Sequence, residues 1–368
     1  MSVSSQPLVL IMAGGTGGHI YPALAVAIEL RDRGYQVEWV GTHRGLEARV
    51  VPAAGFVLHY LSVRGIRGKN LLYTAMGALL LCWSLMQALW LVLKLSPRCV
   101  VGMGGYVAGP AGIAAWLLRK PLLIHEQNAV AGTTNRMLSP FAATVISGFP
   151  GAFKGDVDFR VLGNPVRREL LQAAADHPWN FAGQRPLRLL VVGGSLGAKP
   201  LNDMLPTAVQ LLQENTGLSQ LEVWHQSGEP HLNSVRTAYA DQNSDQIRVT
   251  AFIEDMAAAY SWADLVVCRA GALTVAELAI MGRPAILIPL PHAIDDHQTA
   301  NAHALTDTEG GILLPQLELT GEKLAAEIAA FIAAPDRLAA MAEASLAVSL
   351  PNATAAVANC CEELMRND

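Results

Sequence analysis

One device occurs twice in this chain of 368 residues: a short apolar run that stops on a glycine-rich loop. Leu8-Val9-Leu10-Ile11-Met12 leads into "AGGTGGH", and "RPLRLLVV" leads into Gly193-Gly194-Ser195-Leu196-Gly197. Alternating helix-like and strand-like stretches follow each run. After the first comes a helix over about Ile20 to Arg33, with Pro22 in its first turn and Gly34 beyond its last, and then a strand over Gln36 to Val40. Cys99 to Gly102 and Pro121 to His125 read as buried strands around a helix, with "ATVISGF" as a further short strand. After the second run come "LEVWHQSG", "IRVTAFI" and "ADLVVCRAG", with helices between them. Alternation of this kind predicts parallel sheets wrapped by helices, hence the α/β class. The chain is long enough for two domains that each bury a core, and the repeat predicts two similar Rossmann-like domains facing each other. The expected boundaries are 1–163 and 164–345, joined through "FRVLGNPVRREL". A tail over 346–368 follows, in which Asn352 caps a last helix that packs back on the first domain.

The glycine loops fail two common readings. A dinucleotide fingerprint needs G-x-G-x-x-G and an acid at the end of the second strand to hold a ribose, whereas this chain has Gly15-x-Gly17-x-x-Ile20 and "WVGTHRG". Nor is there a G-x-x-x-x-G-K-[ST] phosphate loop. What remains is a glycine-cradled helix N-terminus, suited to a phosphate or to the close approach of a sugar, or else a tight turn with no ligand. His19 stands at the start of that helix. A neutral imidazole there is the residue type a general base requires, and a turn histidine satisfying local backbone groups is the plain alternative.

A third glycine-ended strand, Leu265 to Cys268, runs into "RAGALTVAEL". A helix beginning near Ala272 would offer the N–H groups of Ala272, Leu273 and Thr274 to an anion. Glu277, about one turn in, can accept two ribose hydroxyls, although a first-turn acid is also ordinary complementarity to the helix dipole. The next loop, "PHAIDDHQTANA", crowds His292, Asp295, Asp296, His297, Gln298 and Asn301 together. Those groups lack a metal-ligand spacing, and hydrogen bonding to a sugar fits them better.

Composition narrows the partners. Net charge is -5 and only 6% of residues are aromatic, which argues against nucleic acid. Five cysteines without a C-x-x-C spacing fit a reducing cytoplasm rather than a disulfide framework, and the N-terminus lacks the basic region of a cleaved signal peptide. The uncharged run from Leu71 to Leu93 is long enough to span a bilayer by length alone. The strand expected at Cys99 ties it to the sheet instead, so part of it belongs to the core and its outer face is left for docking.

Several stretches taken together, "GGTGGHIYPALA", "GMGGYVAGP", "HEQNAVAG", "GNPVR", "VVGGSLGA", "WHQSG", "FIEDMA", "CRAGALTVAEL" and "DDHQTANA", resemble the MurG family of bacterial UDP-N-acetylglucosamine transferases, glycosyltransferase family 28. The resemblance runs in order from about residue 8 to the last helix. It implies a GT-B fold, two Rossmann-like domains across a cleft, and transfer of N-acetylglucosamine from UDP-N-acetylglucosamine to the lipid-linked muramyl pentapeptide (lipid I) in peptidoglycan synthesis. Carried over by motif, the backbone of Ile253 meets uracil, Glu277 the ribose, and Ser195 with the Ala272, Leu273 and Thr274 turn the diphosphate, and Val275 and Ala276 also belong to the donor site. Gln298, with Asn301 nearby, faces the donor sugar, bordered by Arg167 and Asn128. Gly14, Gly15, His19, Gly104, Gly105 and Tyr106 line the acceptor side, and Thr16, Gly17 and Gly18 touch either substrate. His19 is the expected base, and Glu126 either aligns the acceptor or supports His19. Leu196 replaces the glutamine usual in the family's second glycine loop, so no polar contact is assigned to that side chain.

The resemblance also implies an inverting reaction that needs no metal or other cofactor. The only D-x-D spelling, Asp156-Val157-Asp158, reads as solvated surface. A lipid acceptor gives the apolar run a context: with Arg64, Arg67 and Lys69 before it and Leu72, Leu79, Trp83 and Trp90 within it, it becomes a peripheral docking patch on the anionic cytoplasmic leaflet of the plasma membrane. Each basic residue there contributes roughly 1 kcal/mol. Further proteins of cell-wall synthesis are expected partners. The rival readings are a UDP-sugar 2-epimerase of similar architecture and a non-enzymatic nucleotide-sugar binder.

Overall fold

Both glycine-ended apolar runs become inner strands of separate parallel sheets. The computed structural model describes residues 6–63, 71–216, 221–240, 242, 244–291 and 296–366. The chain divides into two compact units, Met1–Arg167 with Leu350–Asp368, and Arg168–Ser349.

The first unit runs β1 (Leu8–Met12), α1 (Gly17–Asp32), β2 (Gln36–Gly41), α2 (Glu47–Ala53), β3 (Val57–Tyr60), α3 (Leu71–Leu95), β4 (Cys99–Gly102), α4 (Ala108–Leu117), β5 (Leu122–Glu126), α5 (Thr133–Leu138), β6 (Thr144–Ser147) and β7 (Arg160–Val161). Its strands lie in the order β3-β2-β1-β4-β5-β6-β7, with Leu10 of β1 opposite Glu38 and Val100. Both faces of β1 are covered, which is why it reads as an unbroken apolar run. Val9 and Ile11 pack among Ile20, Val26 and Leu30 of α1, and Leu10 and Met12 among residues of α3 and α4.

The second unit runs α6 (Arg168–Asp176), β8 (Leu187–Val192), α7 (Lys199–Thr216), β9 (Leu221–Gln226), α8 (Leu232–Ala238), β10 (Ile247–Thr250), α9 (Met256–Trp262), β11 (Leu265–Cys268), α10 (Ala272–Met281), β12 (Ala285–Leu287), α11 (His297–Thr306), β13 (Gly311–Leu313), α12 (Gly321–Ala333) and α13 (Pro335–Ala347). Its sheet order is β10-β9-β8-β11-β12-β13, again parallel throughout. Each sheet therefore gathers its glycine loops at the carboxyl ends of its central strands, where open α/β sheets bind ligands. The last helix, α14 (Ala353–Arg366), returns to the first unit: Val357, Ala358 and Cys361 join the α1 side of its core, and Arg33 pairs with Glu362.

Two local readings are corrected. Helix α1 begins at Gly17, because Thr16 is extended and its carbonyl accepts from the His19 and Ile20 N–H groups. Gly17, Gly18 and His19 thus form the first turn, and Pro22 lies inside the helix rather than at its entrance.

Helix α3 settles how the apolar run is divided. Ala88, Leu91 and Val92 are buried against α4, whereas Leu79, Trp83, Met86, Trp90 and Leu93 are exposed. Their spacing of four, three, four and three residues makes one stripe along the helix. Lys94 lies over the Trp90 ring at 4.9 Å. Among the described residues no helix is long and apolar enough to cross a membrane. Arg64, Arg67 and Lys69 lie outside the described residues, as does the side chain of Leu72.

Candidate active site

In the first unit the glycine loops that follow β1 and β4 are packed backbone to backbone. Gly105 has φ +83°, and a Cβ placed on it would overlap the carbonyl oxygen of Gly14. Gly104, at φ +96°, lies against the imidazole of His19, so that a Cβ there would stand 2.9 Å from Nδ1. Gly14, Gly15, His19, Gly104 and Gly105 are thereby brought together, with Tyr106 exposed beside them.

A buried carboxylate that the motifs did not single out organises this loop. Glu47 is fully buried; its Oε2 accepts from the Gly15 N–H at 3.1 Å, and its Oε1 from the N–H and hydroxyl of Thr42 at 2.9 and 2.8 Å. Gly41 and Gly45 leave room for it, since a side chain at either would collide with Glu47.

The imidazole of His19 is held by Gln127, whose Oε1 lies 2.9 Å from Nδ1. Gln127 is buried, and its Nε2 stands 3.2 Å from Nδ1 of His125, whose Nε2 is 3.0 Å from the carbonyl oxygen of Gly163. Glu126 does something different. Its Oε1 accepts from the backbone and side-chain N–H groups of Asn128 at 2.9 and 3.0 Å, and its Oε2 from the Gly132 N–H and the Asn135 amide at 3.0 and 2.8 Å. This carboxylate closes the loop after β5, and the contact to His19 comes from its neighbour. Arg167 stacks over the ring of Tyr21, at 5.5 Å.

In the second unit the loop after β8 is closed by a mutual fit. Gly197 and Gly228 have positive φ, and a Cβ on either would overlap a backbone carbonyl oxygen, that of Ser227 or of Leu196. Gln226 donates to the Gly194 carbonyl at 2.9 Å, which leaves Ser195 and Leu196 exposed at the tip. Leu196 is 75% exposed, an apolar side chain turned outward from a loop whose backbone is fixed. At α10, Gly271 is the N-cap and the Val275 N–H already donates to its carbonyl. The N–H groups of Ala272, Leu273 and Thr274 come before that first helical bond, as at any helix start. Val275 is buried and Ala276 lies beyond the free turn.

Glu277 is 5% exposed and its Oε2 accepts from the Tyr260 hydroxyl at 3.2 Å. Asn301 is fully buried and donates to the Ala270 carbonyl at 3.2 Å, so it buttresses the α10 entrance from behind. Gln298 accepts from the Leu290 N–H at 3.0 Å, and Ile253 is buried in the turn between β10 and α9. His292 and Asp295 lie outside the described residues. Among the described residues no group of three or more histidine, cysteine or acidic side chains could hold a metal ion.

Each unit also buries a neutral histidine. Burial pushes His125 down to about 4 against the opposing pull of the Gly163 carbonyl and the Glu126 charge, and burial alone lowers His225 to about 4. Both folded values lie below the unfolded value near 6.5, so the unfolded chain binds the extra protons and stability falls as pH drops from about 6.5 towards 4. At pH 5 each histidine withdraws about 2 kcal/mol. Urea midpoints measured at pH 7.5 and pH 5 test this, and equal midpoints would refute it.

Comparison with known proteins shows the family. The model of the glycosyltransferase family 28 N-terminal domain matches residues 9–147, and that of the family's C-terminal domain matches residues 188–357. The chain belongs to glycosyltransferase family 28. Among curated relatives, the UDP-N-acetylglucosamine--N-acetylmuramyl-(pentapeptide) pyrophosphoryl-undecaprenol N-acetylglucosamine transferase of Alkalilimnicola ehrlichii is 52% identical over 97% of this chain and 99% of its own length. The enzyme of the same name from Stutzerimonas stutzeri is 50% identical over 97% and 98%. The crystal structure of Acinetobacter baumannii MurG is 39% identical, covers 97% of this chain and 99% of its own, and superposes with a TM-score of 0.82. Within this family 28 chain the N-terminal match takes in β1 to β6, hence both glycine loops, Glu47 and the segment His125 to Asn128. Gly163 falls between the two matched stretches.

Proposed function

We propose that this chain transfers N-acetylglucosamine from UDP-N-acetylglucosamine to the C4 hydroxyl of the muramyl sugar in undecaprenyl-pyrophosphoryl-N-acetylmuramyl-pentapeptide. The observation that carries this reading is the full-length kinship: relatives at about half identity across both whole chains bear that activity as their name. That kinship does not favour the epimerase alternative.

In this reading the second unit serves the donor. Glu277, oriented by Tyr260, accepts the ribose hydroxyls, the Ile253 backbone meets the base, and Ser195 with the Ala272 to Thr274 N–H groups meets the diphosphate. Gln298 faces the sugar. Asn301 acts through the loop it holds rather than by contact, as the geometry above favours. The first unit serves the acceptor through Gly14, Gly15, Gly104, Gly105 and Tyr106, with Thr16, Gly17 and Gly18 touching either substrate and Asn128 and Arg167 at the donor's border.

The acceptor oxygen attacks the anomeric carbon as its bond to the diphosphate oxygen breaks, with inversion. The hydroxyl proton passes to His19, and the electron pair leaves with UDP. Charge that grows on the departing diphosphate is met by N–H groups already fixed at a helix start, which need no reorganisation at that moment. Glu126 contributes by shaping the Asn128 loop. The test is transfer of labelled N-acetylglucosamine to a lipid I analogue in the presence of EDTA. Formation of the disaccharide lipid is the expected result; donor consumed with the acceptor untouched would instead establish the epimerase.

The exposed stripe of α3 supports peripheral docking on the cytoplasmic leaflet that holds such an acceptor. Burial of a large apolar side chain contributes about 1.5 kcal/mol or more. Replacing Trp83 and Trp90 together by alanine is expected to weaken partition onto anionic vesicles by about tenfold or more while leaving the melting temperature near that of the wild type, because both side chains are outside the core. Sedimentation with vesicles measures it, and unchanged partition would remove the stripe from the docking surface.

A further inference from the structure

The groups behind His19 form a chain whose hydrogen-bond directions can be deduced one from the next. It starts at the Gly163 carbonyl, which can only accept. His125 Nε2, 3.0 Å away, must therefore carry a proton and donate to it. His125 is fully buried and its pKa is lowered to about 4, so at neutral pH the ring carries a single proton, and its Nδ1 is an acceptor.

Gln127 must then present its amide nitrogen to His125 Nδ1, at 3.2 Å. A second contact requires the same orientation: that nitrogen also lies 3.4 Å from the backbone carbonyl of His125, where an amide oxygen would face another acceptor. Two independent neighbours thus fix which end of the amide is nitrogen, a choice that positions of heavy atoms alone would leave open. The Gln127 oxygen consequently faces His19 Nδ1 at 2.9 Å, and Nδ1 must be the donor. The glutamine is itself held in place, being 1% exposed with its backbone carbonyl accepting from the Asn164 amide at 3.0 Å. Gly104 closes the other side of the imidazole.

We infer that Gln127 is a positioning residue that locks His19 as the Nδ1–H tautomer and leaves Nε2 as a bare lone pair. Donation runs one way, from His19 to Gln127, from Gln127 to His125, and from His125 to the Gly163 carbonyl. The inference deepens the proposed function, for a base needs its receiving nitrogen unprotonated and aimed, and orientation by a partner on the far nitrogen is how catalytic histidines are commonly held. It makes a claim about protonation that stands whether or not His19 is the base.

The experiment uses the full chain labelled with ¹⁵N-histidine, and long-range ¹H–¹⁵N correlation at neutral pH reads which ring nitrogen of His19 carries the proton. The His19→Gln variant identifies the signals by their loss. In the wild type the proton is expected on Nδ1. In Gln127→Leu the lock is gone and the proton moves in large part to Nε2. In Gln127→Glu the carboxylate still accepts from Nδ1, so the His19 tautomer is retained although the link to His125 is lost.

Kinetics on the same proteins separate this inference from the functional reading. If His19 is the base, Gln127→Leu lowers kcat by about tenfold or more with KM for UDP-N-acetylglucosamine little changed. A tautomer shift without a kinetic effect would uphold the lock and remove the base role. A wild-type His19 protonated on Nε2, or a Gln127→Leu protein that keeps the proton on Nδ1, would overturn the lock itself. The wild-type spectrum decides the matter even should Gln127→Leu fail to fold.

Discussion

His19→Ala is expected to cut transfer by about 10² to 10⁴, the range over which a positioned general base acts, with binding of the UDP-sugar retained. Retention follows from where the groups lie: the residues proposed for the nucleotide belong to the second unit, and His19 to the first. Its ring rests on Gly104 and Gln127 without being enclosed in the core, so truncation to alanine should cost little stability and the loss should appear in kcat. Steady-state kinetics in both substrates, with donor affinity measured separately by calorimetry, checks the split. A mutant within about threefold of wild-type kcat would leave proton transfer to solvent or to another group, because loss of a working base cannot be so mild.

The sequence carried the fold further than it carried the site. Strands such as Leu8–Met12 and Leu265–Cys268 are covered on both faces, so each shows as an apolar run whose end is marked by glycine, and the two series of such strands are visible without coordinates. Helix α1 starts at Gly17, ahead of the expected Ile20, although glycine disfavours helix. At Gly17 and Gly18 the Thr16 carbonyl overrides that preference by accepting the first bonds. The glycine loops and His19 were legible for the same reason as the strands: they adjoin a strand end, and the constraint is local.

Glu47 and Gln127 were not legible, since each acts on a group 32 or 108 residues away in the chain, and no spacing rule reaches so far. Glu126 shows the converse. An acid beside a candidate base invites a direct role, yet its two oxygens serve Asn128, Gly132 and Asn135. Asn301, expected near the donor sugar, is buried, and its amide donates to the Ala270 carbonyl, a partner 31 residues away that its own loop does not reveal.

Two glycines of the first unit should respond very differently to the same substitution. Gly15 has φ +99° and nothing within 4 Å of where its Cβ would lie, so Gly15→Ala carries backbone strain alone, about 1–2 kcal/mol. Gly105→Ala carries that strain at φ +83° and also drives a methyl group into the Gly14 carbonyl oxygen. Backbone cannot swing aside as a side-chain tip can, so the Gly14 loop and the Gly105 loop must separate, with a further overpacking cost of about 1–3 kcal/mol. The separation also shifts the Gly15 N–H off Glu47 and moves His19, which lies in the first turn of the helix behind that loop. A displacement of about 1 Å at a reacting centre can cost 10² in rate. Gly105→Ala is therefore expected to lower both the melting temperature and kcat, the latter by about 10² or more, and Gly15→Ala to lose less of each. Thermal denaturation and transfer kinetics on the pair measure it. Equal losses in the two variants would mean that strain at positive φ, and not the contact between the two loops, sets the geometry around His19.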